Sequence, residues 1–213
     1  MKRSAAAWLL LATFPACTAV PEPSPPAAAE ASWQVLFDAG CVAPWVATDF
    51  GGQGDVRVLD GRLELGMGNP LTGVTWTENV PHGDYELELT ARRDAGNDFF
   101  CGLTFPVGEQ HLTLVLGGWG GTLCGLSCLD GKDASRNETR TLRRLGRGVD
   151  HDVVVRVAAG RVVVTLDGEP LCAVDTRGRT LDLRQEVLLS RPLGVASFAT
   201  TASLARLRWR SLP

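Results

Sequence analysis

Residues 85–92 alternate without a break. Tyr85, Leu87, Leu89 and Ala91 fall on one parity, and Glu86, Glu88, Thr90 and Arg92 on the other. Side chains of a strand point alternately to opposite faces, so this run predicts a β-strand with one face buried and one wet. The same grammar recurs along the chain. Residues 56–59 and 63–65 flank Asp60-Gly61, a strong two-residue hairpin turn. Residues 153–157 and 162–166 face each other across Ala159-Gly160, and Ala205, Leu207 and Trp209 alternate with Arg206, Arg208 and Arg210. Further strand-like runs lie at 33–38, 45–50, 73–77, 99–105, 112–116, 122–129, 139–145, 171–174, 187–189 and 195–199. No segment of useful length carries a helical period. The fold class predicted is all-β, a sandwich or jelly roll of two antiparallel sheets, with the last strand pairing near residues 33–38.

The region before this domain has a different character. Met1-Lys2-Arg3 is a basic head, followed by an apolar run over residues 5–14 that is too short to span a bilayer as a helix. Ala16-Cys17 comes next and resembles the bacterial lipoprotein signal, in which the cysteine is lipidated. Residues 18–32 hold Pro21, Pro23, Pro25 and Pro26 among alanines, a composition that cannot bury a core and favours an extended spacer. The expected organisation is therefore a signal over 1–17, a tether over 18–32 and one domain over 33–213. The expected location is the bacterial cell envelope after export, with the membrane engaged through a lipid anchor on Cys17.

Composition excludes several classes. The net charge of −3 provides no basic face for a phosphate backbone, so nucleic acid is not an expected partner. His82, His111 and His151 are scattered away from paired cysteines, so no zinc pattern forms and no metal is expected. No serine sits in a nucleophile elbow, and no phosphate-cradling glycine loop is present. The sequence points to no particular cofactor. In an oxidising compartment Cys41, Cys101, Cys124, Cys128 and Cys172 have the chance to pair, but their odd number leaves one thiol over. Cys124 and Cys128 can bond only if the chain folds back at Gly125, because a straight strand holds them about 13 Å apart.

Candidate functional residues concentrate between residues 93 and 139. Asn97 and Asp98 occupy a turn, Gly117-Gly118-Trp119-Gly120-Gly121 crowds glycines round one indole, and Asp130 to Glu138 is polar throughout. Trp119 either packs in the core or offers its face to a sugar ring. Asp98 and Asp130 either cap their own turns or act as acids and bases beside Glu138, since a glycosidase needs two carboxylates about 5–9.5 Å apart. Asn97, Asn137 and Arg93 are the polar candidates for substrate contact. If these segments serve one ligand, then Asn97, Trp119 and Glu138 must line one groove. Trp45 and Trp76 are assigned to the core, and Glu86 and Glu88 to a solvated strand face.

The run Gly96-Asn97-Asp98-Phe99-Phe100-Cys101-Gly102-Leu103-Thr104-Phe105-Pro106 resembles the 3-keto-disaccharide hydrolase-like domain family. Val35-Leu36-Phe37-Asp38, Asp84-Tyr85-Glu86-Leu87, the Trp119 block, Asp130-Gly131, Asn137-Glu138-Thr139 and Leu189-Ser190-Arg191-Pro192-Leu193-Gly194 extend the resemblance. It implies a concanavalin A-like jelly roll facing carbohydrate, and a hydrolase of glycosides oxidised at the third sugar carbon. Two classes stay open: a carbohydrate-active hydrolase or lyase, and a non-catalytic carbohydrate-binding or cell-surface interaction domain. The acidic and amide residues such hydrolases carry on the strand after the asparagine turn have no carboxylate counterpart in residues 111–118.

Overall fold

The computed structural model describes residues 32–39 and 45–213. The expectations for residues 1–31, including Cys17, and for Cys41 lie outside the described residues. Among the described residues fifteen strands form two antiparallel sheets packed face to face. The eight-stranded sheet contains β1 (Gln34–Phe37), β3 (Val56–Leu59), β4 (Arg62–Leu65), β6 (Tyr85–Gly96), β11 (Asp150–Ala158), β12 (Arg161–Leu166), β13 (Glu169–Asp175) and β15 (Thr200–Ser211). Its order is β13-β12-β11-β6-β15-β4-β3, and β1 also pairs with β15. The seven-stranded sheet contains β2 (Val46–Ala47), β5 (Leu71–Trp76), β7 (Cys101–Val107), β8 (Gln110–Gly117), β9 (Leu123–Ser127), β10 (Thr141–Leu142) and β14 (Leu193–Phe198), ordered β10-β9-β8-β7-β14-β5-β2.

The expected hairpin across Asp60-Gly61 joins β3 to β4, and that across Ala159-Gly160 joins β11 to β12. The last strand does pair with the first, with Gln34 opposite Trp209. β15 is long enough to serve two partners along one edge: β4 takes Ala202, Ser203 and Leu204, and β1 takes Leu207, Arg208 and Trp209. One expected strand is corrected. Residues 187–189 belong to a 3-10 turn, Gln185–Ser190, closed by Val187 N–H to Arg184 O (3.0 Å) and Arg191 N–H to Leu188 O (3.3 Å). Val187 and Leu188 pack over a sheet instead of pairing within one, while Leu189 stays exposed. Val187 is buried with Leu71, Leu183 and Ala196 in a small cluster separate from the main core.

The main core lies between the sheets. Leu87, Leu89, Val153, Val155 and Leu207 meet Leu103, Phe105, Leu112, Leu114 and Val195 there. Trp76 belongs to that core, and Trp45 packs edge-on against it with ring centroids 5.3 Å apart. Tyr85 is fully buried but donates its hydroxyl to Pro106 O at 2.5 Å, which satisfies the one polar atom it brings inside.

The outer faces of the two sheets differ. On the eight-stranded sheet, Glu86 and Glu88 pair with Arg210 and Arg208, and Arg208 and Arg210 stack on Trp33. On the seven-stranded sheet, every residue of β5 and β9 is buried, as is all of β7 except Val107. Something therefore covers that face, and the 3-10 turn with its flanking segments supplies much of the cover.

Candidate functional site

Under this cover lies a cavity of about 160 Å³. Its floor is the outer face of the seven-stranded sheet, formed by Thr113 and Val115 of β8 and Ser127 of β9. Parity places them there, because Leu112, Leu114, Leu116 and Leu126 between them point into the main core. Thr113 Oγ1 lies 2.9 Å from Thr104 Oγ1, so the floor carries a hydroxyl pair instead of bulky side chains. One wall is aromatic. Phe99 and Phe198 also line the cavity, with ring centroids 5.6 Å apart, and Phe198 N–H donates to Phe99 O (2.9 Å).

Trp119 forms the rim and is 45% exposed. It stands on the tight turn Gly118–Gly121 that follows β8, with a left-handed backbone (φ 49°, ψ 55°). For a non-glycine residue that conformation costs on the order of 1–3 kcal/mol and persists only where the surroundings hold it. Arg93 holds it. Parity explains this residue too: it is the next step after Tyr85, Leu87, Leu89 and Ala91, so it turns inward and is only 6% exposed. Its Nη2 donates to Gly117 O (3.3 Å) and Gly121 O (3.1 Å), and its Nη1 to Leu145 O (3.2 Å). The guanidinium also lies 5.1 Å from the Phe100 ring centroid. A Cβ on Gly117 would sit 2.1 Å from Nη2, and φ there is 74°, so only glycine fits. Burial pulls the Arg93 pKa down from its usual value, and Arg147 adds to that effect.

The remaining wall comes from residues 178–187. Asp130 pins the start of this stretch: its backbone N–H donates to Thr180 O (2.9 Å), and its Oδ1 accepts from Thr180 N–H (3.0 Å). Cys128 and Asp182 exchange backbone hydrogen bonds of 2.8 and 3.2 Å. The chain then delivers Arg184, Glu186 and Val187 to the cavity. Arg184 Nε donates to Glu186 Oε1, its Nη1 donates to Asp133 Oδ2 (3.2 Å), and its guanidinium carbon lies 5.9 Å from the Trp119 ring centroid.

The structure thus separates the candidate residues. Asp98 and Trp119 line the cavity together. Asp98 Oδ1 accepts from Phe99 N–H (2.8 Å), and the Asp98 N–H donates to Thr200 Oγ1 (3.1 Å). Asn97 is exposed on the adjoining turn, and its carbonyl would lie 3.0 Å from a Cβ on Gly121. Glu138 is not among the lining residues. It pairs with Arg179 Nη1, and Asp130 Oδ2 holds the same guanidinium at 2.9 Å. The Thr180 N–H, and then Arg179, hold the Asp130 carboxyl below its usual range, and the Arg179 hydrogen bond does the same for Glu138. Both are poorly suited to give up a proton as a general acid near neutral pH.

Asn137 is 8% exposed and ties its loop together. Its Nδ2 donates to the carbonyls of Leu126, Lys132 and Asp133, and its Oδ1 accepts from Thr139. Arg93 and Asn137 therefore serve the scaffold through groups that a ligand would otherwise need. Sequence reasoning missed Arg184 and Glu186. The only signal was the polar run Arg184-Gln185-Glu186, just before the residues 187–189 read as strand.

Cys101, Cys124, Cys128 and Cys172 are free thiols, so the Cys124–Cys128 bond that a fold-back would have allowed is not formed. Among the described residues no three His, Cys, Asp or Glu side chains cluster to hold a metal ion, and no helix is long and apolar enough to cross a membrane.

No protein-family model matches the sequence, and no curated protein does. Solved structures match in fold. A Bacillus subtilis protein of unknown function with a galectin-like fold is similar over 84% of this chain and 94% of its own, at 13% identity and a TM-score of 0.59. A putative glycosyl hydrolase from Parabacteroides distasonis is similar over 85% and 94%, at 14% identity and a TM-score of 0.54. The exoplasmic/lumenal domain of VIP36 is similar over 84% and 88%, at 12% identity and a TM-score of 0.53. These likenesses place the chain in the jelly-roll fold shared by galectin-like and concanavalin A-like domains.

Proposed function

We propose that this domain binds carbohydrate in the cavity beneath Trp119. The observation that carries the reading is the held, half-exposed indole at the mouth of an aromatic-walled cavity with charged groups at its edge. Sugar rings have apolar C–H faces and polar rims, and a site built for them needs an aromatic plane with a few converging polar groups. The fold supports the reading by analogy, since one similar solved structure is a putative glycosyl hydrolase and another was solved bound to calcium and Man3GlcNAc. Calorimetric titration of the full chain against a panel of neutral oligosaccharides tests it. At least one should bind with one-to-one stoichiometry, and Trp119→Ala should weaken that binding tenfold or more with an unchanged melting temperature. No binding anywhere in the panel, or equal binding by the variant, contradicts the proposal.

A hydrolytic reading, including action on 3-keto glycosides, rests on a different observation. Asp98 and Glu186 both line the cavity, and they supply the pair of carboxylates that Asp130 and Glu138 do not. Turnover of a 3-keto glycoside that is lost in Asp98→Asn or Glu186→Gln would favour it over simple binding.

Residues 1–17 support export and lipidation at Cys17 as part of the same proposal, with the domain held off a bacterial membrane by residues 18–32. Cys17→Ser should release the protein from the membrane fraction. Unchanged fractionation with no lipid on Cys17 removes the anchor from the account.

A further inference from the structure

The cavity is small and blocked on one side, and that bears on what enters it. Resting on the carbohydrate reading above, we infer that the site takes one neutral sugar ring at the end of a chain and excludes the interior of a polysaccharide. The volume of about 160 Å³ is close to the ~150 Å³ that accommodates a single benzene ring in an engineered protein cavity.

The 3-10 turn Gln185–Ser190 closes the route across the sheet. Thr75 Oγ1 donates to Leu189 O at 3.0 Å, and Val187 is buried against the cluster that contains Leu71 and Ala196. The turn lies so close to β14 that a Cβ on Gly194 would stand 2.6 Å from Ser190 O. A polysaccharide passing over β14 and β5 would have to displace this turn. At the mouth, Arg184 bridges from the same segment to Asp133 and over the Trp119 ring, which ties the two sides of the opening together.

Charge narrows the choice further. Asp98 and Glu186 both line the cavity, and Arg184, the one lining cation among the described residues, already donates to Glu186 and Asp133. A uronic or sialic acid would bring its carboxylate beside two others, with a guanidinium already engaged.

The test is a length series. Gluco-, xylo- and manno-oligosaccharides of two to six units are titrated into the full chain, alongside uronic-acid-terminated chains of matched length. For any series that binds, the dissociation constant should stay within twofold from two units to six, and the acidic termini should bind at least tenfold more weakly. Affinity that rises threefold or more with length, or a preference for the acidic chains, overturns the inference and leaves the carbohydrate reading standing. Absence of binding by every oligosaccharide overturns that reading and the inference with it.

Discussion

The two sheets obey the same pleat but treat their outer faces in opposite ways. On the eight-stranded sheet, β6, β11 and β12 alternate buried with half-buried or exposed residues, and the outward positions carry Glu86, Glu88, Arg208 and Arg210 in ion pairs. On the seven-stranded sheet, β5, β7, β8, β9 and β14 are buried on both faces over most of their length. One face is finished by water. The other is finished by the protein's own segments, 178–190 for much of it and the stretch round Phe50 beside it, and the cavity is the space they leave over. The lesson is that the half-buried sheet carries the readable pattern, and the doubly buried sheet carries the site.

The contrast makes the same residue type worth very different amounts on the two sides. Arg93 faces inward and satisfies three carbonyl oxygens, so Arg93→Ala leaves buried acceptors with no donor. Chemical denaturation should show a loss of about 3–5 kcal/mol, and glycan binding should fall with it because the Trp119 turn loses its support. A loss under about 1 kcal/mol would mean that the turn holds itself.

The core that the two sheets share gives a pH test. Burial pushes the thiols of Cys101 on β7 and Cys172 on β13 up to about 12. In the unfolded chain a thiol titrates near ~8.5. Below that pH both states keep their protons and stability is at its full value. Above it the unfolded chain loses protons that the folded chain retains, so stability falls as pH rises towards the folded value. The two thiols together should lower stability by about 3 kcal/mol per pH unit in that window. Replacing both with Ala should flatten the slope, and an unchanged slope would assign it to other groups. Tyr85, also raised by burial, adds to the slope at the upper end.

The smallest effect belongs to the solvated face. Arg208 pairs with Glu88 at 2.6 Å and stacks on Trp33, with both charged side chains still partly exposed. Arg208→Ala should cost no more than about 1 kcal/mol, less in high salt, and should leave glycan binding untouched. A cost matching that of Arg93→Ala would erase the distinction between the faces.

Legibility in the sequence follows the same division. The hairpins at Asp60-Gly61 and Ala159-Gly160, the β6 alternation and the pairing of the last strand with the first could all be read, because each rests on local turn chemistry or period two. The 3-10 turn could not. Val187 and Leu188 are apolar for packing across a sheet while Leu189 is exposed, and a three-residue apolar run does not distinguish packing across from pairing within. Arg93 could have been placed by carrying the parity of residues 85–91 one step further. Arg184 and Glu186 reach the cavity only because Asp130 and Cys128 hold a segment some fifty residues away in sequence, and no local pattern encodes that. Asp98 and Trp119, by contrast, meet for a local reason: β7 and β8 pair as one hairpin with Cys101 opposite Leu116, which brings the segment before β7 and the segment after β8 together.

The difference between the faces can be read directly from the tryptophans. Trp119 stands at the cavity rim, whereas Trp33 lies under Arg208 and Arg210 on the opposite side of the sandwich. Indole N–H signals of the 15N-labelled full chain, followed during titration with a glycan that binds, report on both at once. The Trp119 signal should shift in proportion to occupancy while the Trp33 signal stays in place. A shift at Trp33 with Trp119 unmoved would put the binding surface on the charged face and contradict the central claim.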